Sequence, residues 1–309
     1  MAVTRPKALR PGDRIAIVAP ASPCSREQVE RGIAELERWG FAPAVDARIF
    51  ENCGYLAGSA ASRAAHLMEA FVDPGVAGIF CTRGGYGSAQ LLPLLDLQAI
   101  AASPKVFVGY SDLTALLTVF TLRAGMVSFH GPMLEGRLAH PDRYDRESLA
   151  RATTSTEPMG ALVPDGLEIV RPGEATGMLI GGTLTQLAAS LGTPWAFEPP
   201  EGHVLFLDEV NERPYRLDRL LTQITQAGLL ARASAVVINE LPGCDEPGGT
   251  VRGIDVIRTH FASFPGPVIA GFPSGHTDRA AITLPFGVRA TVLARGRPAL
   301  VIEEAAVAD

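Results

Sequence analysis

Short, wholly apolar runs that close on proline or glycine and then give way to helical periodicity constrain this chain more than any other feature. Residues 14–20 (Arg14-Ile15-Ala16-Ile17-Val18-Ala19-Pro20), 76–82 and 106–109 are continuous rather than alternating. That is the pattern of strands covered on both faces. Helices are expected between them. Ser25-Arg26-Glu27-Gln28 matches a capping box, Val29, Ile33 and Leu36 share one face, and Gly40 is placed to end the turn. Residues 59–72 form a second helix with Leu67, Met68 and Phe71 on its buried stripe, stopped by Asp73-Pro74. With a further strand at 126–132, the chain to about residue 135 reads as repeated β-α units. Right-handed crossovers turn such units into an open parallel sheet with helices on both faces. Ligands of such sheets bind at the carboxyl ends of the strands.

Between His140 and Gly173 the texture becomes polar, with Thr153-Thr154-Ser155-Thr156 and prolines at 141, 158, 164 and 172. This stretch reads as a linker with room for a short hairpin. Strands then resume at 176–182, 203–208, 235–238 and 267–271, with helices at 183–191, 214–227 and 251–264 between them. The tail, at 281–284, 288–293 and 299–302, alternates as a small antiparallel set. The expected organisation is an α/β domain over 1–150, a linker over 151–172 and a mixed β/α domain over 173–309. With 309 residues, 47% of them hydrophobic, the chain can bury cores of that size.

Several function classes fall away. The net charge is −6 and no cluster of Lys and Arg is interleaved with aromatics, so no nucleic-acid partner is expected. No apolar run reaches membrane-spanning length, and the N-terminal stretch lacks the apolar segment of a secretory signal. Cys24, Cys53, Cys81 and Cys244 are far apart and form no C-x-x-C pair, which suits free thiols in a reducing, cytoplasmic setting. The six histidines show no H-E-x-x-H or paired spacing, so neither a metal nor another cofactor is expected.

Chemistry concentrates at three strand ends. In Gly109-Tyr110-Ser111-Asp112-Leu113 an apolar strand breaks into a helix with Ser111 at the crest. Such a turn lifts the hydroxyl off the sheet beside the unpaired N–H groups of the first helical turn, giving a nucleophile and half of an oxyanion hole. The alternative is a serine that only caps its helix, and Leu113 stands where G-x-S-x-G has its second glycine. Arg83-Gly84-Gly85-Tyr86-Gly87 follows another strand and can turn backbone N–H groups toward an anion, although it matches no nucleotide-binding pattern. Cys81, just before it, suits a buried strand end better than a nucleophile. His276 lies in a Pro-Ser-Gly-His-Thr-Asp loop after a strand, and Asp208 and Glu209 close another. A serine alkoxide needs a base, and the base needs an acid. Ser111, the acids at 208–209 and His276 supply these types in the chain order of α/β-hydrolases.

Seven segments taken together resemble the LD-carboxypeptidase family of serine peptidases, which includes muropeptide LD-carboxypeptidase A and, as a relative, the microcin-C immunity peptidase. They are Arg10-Pro11-Gly12-Asp13, Arg83-Gly84-Gly85-Tyr86-Gly87, Gly109-Tyr110-Ser111-Asp112, His130-Gly131-Pro132, Gly181-Gly182-Thr183-Leu184, the acid-rich Leu207–Glu212 with Pro214-Tyr215-Arg216 and Asp218-Arg219, and Gly275-His276. They span nearly the whole chain in the family's order. The resemblance implies a flavodoxin-like N-terminal domain with the nucleophile and a C-terminal swivelling β/α domain with the acid and histidine. It also implies a cleft between them and a homodimer. The implied reaction releases the terminal D-alanine of a murein tetrapeptide in the cytoplasm, during cell-wall recycling. Carried over, Ser111 is the nucleophile, His276 the general base and then acid, and the N–H of Asp112 with that of Gly85 or Gly84 the oxyanion hole.

One position departs from the family, which reads Leu-Glu-Asp where this chain reads Leu207-Asp208-Glu209. Asp208 is then the expected acid, one methylene shorter. Glu209 is held in reserve, because on an extended strand it faces the other way. A peptidyl- or aminoacyl-sulfamoyl-adenylate amide is the rival substrate, with Trp195 either a platform for the adenine or a packing residue. A non-catalytic protein of two domains closing on a ligand is the rival from another class.

Overall fold

The computed structural model describes residues 3–309. Its first sheet is built from β1 (Arg14–Val18), β2 (Ala42–Val45), β3 (Gly78–Cys81), β4 (Val106–Gly109) and β5 (Ser128–His130). They lie in the order β2-β1-β3-β4-β5, all parallel, which is the flavodoxin-like doubly wound order. The crossovers carry α1 (Arg26–Arg38), α2 (Ala60–Val72), α3 (Leu97–Ala102) and α4 (Thr114–Leu122). Ser25 caps α1 by accepting from Gln28 N–H, and Ser59 caps α2 in the same way from Ser62. Phe120 packs edge to face on Phe71 and Phe107 between α2, β4 and α4, with centroids 5.3 and 5.0 Å apart, and Phe71 stacks on Phe107. The segment after the glycine loop is a 3-10 turn over Ser88–Leu94 with Pro93 inside it. A proline there removes the donor and crowds the preceding turn, so an α-helix cannot form. Helix α3 is only six residues long, too short for a helical period to show in the sequence.

After α5 (Arg146–Thr154) the second sheet follows: β6 (Gly160–Leu162), β7 (Glu168–Arg171), β8 (Gly173–Thr183), β9 (His203–Asp208), β10 (Ala233–Asn239) and β11 (Val268–Phe272). Helices α6 (Leu184–Ser190), α7 (Pro214–Gln226) and α8 (Gly253–His260) join the parallel strands β8 to β11, and β12 (Leu284–Phe286), β13 (Arg289–Ala294) and β14 (Ala299–Ile302) end the chain. The order is β6-β14-β13-β8-β9-β10-β11-β7.

Two expectations are corrected. The stretch 151–172, read as a linker, holds the end of α5 and both β6 and β7, which form the two outer edges of the second sheet. Short, polar edge strands are how sheets avoid pairing with other chains, so their composition resembles that of a linker. The tail is not one antiparallel set either. Strands β13 and β14 extend the second sheet, but β12 crosses back and pairs antiparallel with β5, Leu284 opposite His130. The carboxyl ends of the parallel strands of the two sheets meet, with Thr183 N–H donating to Thr114 Oγ1 and His130 Nε2 3.8 Å from Asp208 Oδ2, and β12 joins the halves on one side.

Candidate active site

Strand β4 is fully buried and ends at Gly109; Tyr110 is extended, and Ser111 turns to φ +65° before a 3-10 turn leads into α4. A non-glycine residue in the left-handed region costs on the order of 1–3 kcal/mol and persists only where its surroundings impose it. Here they do. Leu113 is wholly buried and packs over Gly109, where an added Cβ would lie 3.1 Å from Leu113 Cγ. The residue that spoils the G-x-S-x-G motif thus uses the space its first glycine leaves.

The glycine loop is held against this turn. A Cβ on Gly84 would stand 2.9 Å from Ser111 Cβ and 3.2 Å from Ser111 Oγ, so only glycine allows that approach. The buried Asp112 fixes the pairing: its Oδ2 accepts from Ser88 N–H at 2.8 Å, and Ser88 Oγ donates to Asp112 O at 2.6 Å. Arg63, also buried, donates to the carbonyls of Pro20 (2.6 Å) and Gly87 (2.9 Å) and to Gln90 Oε1. Sequence reasoning missed Arg63, since one arginine in an amphipathic helix carries no local signal. Among the described residues nothing hydrogen-bonds to Ser111 Oγ.

Across from it, three neighbouring parallel strands of the second sheet, β8, β9 and β10, each end on one polar residue. Asp208, at the end of β9, is fully buried. Its Oδ2 meets His276 Nδ1 at 2.7 Å and accepts from Thr183 Oγ1, at the end of β8, at 3.1 Å. Its Oδ1 accepts from Asn239 Nδ2, at the end of β10, at 2.6 Å, and from His276 N–H at 3.0 Å. Burial alone would push this carboxyl up, but the adjacent imidazole and these hydrogen bonds outweigh it and hold it below its ordinary value. For His276 burial acts downward, and the Asp208 charge and hydrogen bond win, raising the imidazole above its ordinary value. Glu209 faces elsewhere: its Oε2 accepts from Thr185 N–H and Oγ1 at 2.9 and 2.7 Å, and burial raises its carboxyl.

The two halves meet around Tyr110. Its ring centroid lies 5.2 Å from that of His276, so the imidazole sits beside the residue that precedes Ser111. His130, at the end of β5, is fully buried; its Nδ1 bonds Ser274 Oγ at 3.2 Å and its Nε2 is 3.8 Å from Asp208 Oδ2. Burial drives His130 down to about 4, so it stays neutral at physiological pH. Arg137 fastens the histidine loop to the first half. Its Nη2 donates to Gly275 O and Thr277 O, both at 2.8 Å, and its Nη1 to Arg143 O and Arg279 O. A buried guanidinium on carbonyls flanking His276 fixes where that loop stands.

This arrangement gathers Ser111, Gly84, Asp112, His276 and Asp208 at one crevice and leaves Glu209 out of contact with the imidazole. Models of the LD-carboxypeptidase N-terminal and C-terminal domains match residues 15–131 and 176–292. The chain belongs to the LD-carboxypeptidase family. It is 32% identical to the murein tetrapeptide carboxypeptidase of Pseudomonas aeruginosa, over 85% of this chain and 88% of that one. Among solved structures it superposes on muramoyltetrapeptide carboxypeptidase from Oxalobacter formigenes with a TM-score of 0.83 and 30% identity, covering 94% and 99% of the two chains. The microcin C7 self-immunity protein MccF in complex with aspartyl sulfamoyl adenosine matches with a TM-score of 0.91 and 26% identity, over 99% and 100%. Members of this family are serine peptidases, and the chain is an enzyme of that kind with a two-sheet α/β fold. Among the described residues no group of three or more His, Cys, Asp or Glu is placed to hold a metal ion, and no helix is long and apolar enough to cross a membrane.

Proposed function

We propose that this enzyme hydrolyses an L,D-amide and releases the terminal D-alanine of cytoplasmic murein tetrapeptides in cell-wall recycling. The observation that carries this is the His276–Asp208 pair resting on Tyr110, next to a serine held at positive φ. Ser111 Oγ attacks the scissile carbonyl while His276 Nε2 takes its proton; Asp208 holds the Nδ1–H tautomer and stabilises the imidazolium. The oxyanion is received by the N–H of Asp112 with that of Gly85 or Gly84, each donor contributing about 3 kcal/mol. His276 then protonates the departing amine of D-alanine, and water, activated by the same imidazole, hydrolyses the acyl-enzyme. In this reading the nucleophile lobe ends near residue 150, the acid–histidine lobe has begun by residue 173, and the protein is a homodimer.

Release of D-alanine from the purified tetrapeptide, lost in Ser111→Ala and His276→Ala, is the test. Wild-type protein that binds the peptide without cleaving it would make this a binding protein. A second reading is cleavage of aminoacyl-sulfamoyl-adenylates, for which Trp195 on a cavity of about 130 Å³ between α4 and α6 offers an aromatic surface. The ratio of kcat/KM on the two substrates separates them.

A further inference from the structure

A carboxypeptidase must recognise a free terminal carboxylate, and the buried acids nearest the histidine, Asp208 and Glu209, can only repel one. Of the arginines around the site, two are already committed. Arg137 is buried on its carbonyls. Arg279 gives Nε to Glu240 Oε1 at 2.5 Å, Nη1 to Asp165 O at 2.6 Å and Nη2 to Gly271 O at 2.9 Å.

Arg83 differs. It directly precedes Gly84, the residue that touches Ser111, and its side chain is 39% exposed. Its guanidinium turns back along the loop, with Nη2 3.8 Å from where a Cβ on Gly85 would be. Nη1 bonds Glu135 Oε1 at 3.1 Å, and Glu135 is itself anchored by accepting from Ser25 N–H at 2.8 Å. One edge of the guanidinium is thereby fixed. Among the described residues neither Nη2 nor Nε of Arg83 has an acceptor. A guanidinium steadied on one edge and open on the other is built to take a carboxylate by a charge-assisted, two-point contact.

We propose that Arg83 binds the terminal carboxylate of the peptide substrate and so makes the enzyme an exopeptidase. This rests on the reading of the site as a peptidase. The tetrapeptide and the same peptide ending in a carboxamide are compared, both in turnover by wild type, Arg83→Lys and Arg83→Met and in calorimetric binding to Ser111→Ala with and without Arg83→Met. Wild type is expected to prefer the acid, and Arg83→Met to lose roughly 10- to 100-fold in kcat/KM on the acid but much less on the amide. Arg83→Lys should keep part of the preference. Because Arg83→Met leaves Glu135 unpaired, Arg83→Met with Glu135→Gln is measured beside it, with melting temperatures for both. An undiminished preference for the acid in a folded Arg83→Met variant overturns the assignment, as does equal binding of acid and amide by Ser111→Ala. If wild type cleaves neither peptide but Ser111→Ala still binds the acid more tightly through Arg83, the peptidase reading fails and the carboxylate site stands.

Discussion

The carboxyl ends of the two sheets hold their candidate catalytic groups in opposite ways. On the first sheet the proposed nucleophile is held by backbone geometry: Ser111 sits at positive φ, its hydroxyl has no hydrogen-bond partner among the described residues, and its neighbours Gly84 and Asp112 are fixed by packing and by Ser88. On the second sheet the reactive groups are held by side-chain hydrogen bonds, with Asp208 accepting from Thr183, Asn239 and His276. A nucleophile must be free to leave its position and form a bond, so its position is imposed through the main chain. An orienting acid must stay where it is, so its lone pairs are filled. Arg137 joins the two schemes by tying the backbone of the histidine loop to the first half.

The largest effect expected is at the nucleophile. Ser111→Ala should lower kcat by about 10^4-fold or more, His276→Ala should be comparable, and the double variant should be hardly worse, because the two act as a unit. Additive losses in single-turnover rates would break that pairing. Asp208→Asn follows, with a loss of about 10^3- to 10^4-fold as the imidazole loses its tautomer and charge partner. In the proposed mechanism activity needs neutral His276, whose value is raised, so kcat/KM should rise with pH with a half-point above the usual histidine value of about 6.5. In Asp208→Asn that limb should move to lower pH; a limb that stays put would detach the acid from the histidine.

The pair has a stability signature as well. The raised His276 contributes stability below its unfolded-state value, lost as pH rises through the folded one, and the lowered Asp208 contributes above its own unfolded-state value, lost as pH falls. The melting-temperature gap between wild type and His276→Gln should therefore peak at about pH 5–6, between the two ordinary values. For the link between halves, Arg137→Ala should cost roughly 10- to 100-fold in kcat with KM little changed, with partial rescue by added guanidinium. An equal loss in KM would mean that Arg137 serves binding instead. The smallest effect is expected at Glu209→Gln, within about threefold of wild type in kcat/KM, because its carboxylate serves Thr185.

Much of this was legible in the chain. Continuous apolar runs and cap residues located β1, β3, β4, β9 and β11 and most helices, because burial on both faces leaves a composition that no loop shares. The candidates at 83–85, 111, 208 and 276 were legible because reactive groups in such sheets collect where strands stop. Local pattern failed where an element owes its existence to a partner far away. Strand β12 is three residues long and pairs with β5, some 150 positions earlier, and β6 and β7 look like linker because they are sheet edges.

Left alone, the sequence determined that an α/β chain would bring a serine, an acid and a histidine to strand ends, since residue type and hydrophobic period carry that information. It left open which of two adjacent carboxylates meets the imidazole. Only the tertiary structure turned Asp208 toward His276 and Glu209 toward Thr185, because successive strand residues face opposite ways and the choice of face depends on which sheet packs above. The roles of Arg63, Arg83 and Arg137 were likewise decided in three dimensions. A guanidinium declares nothing about its acceptors until distant backbone is folded against it.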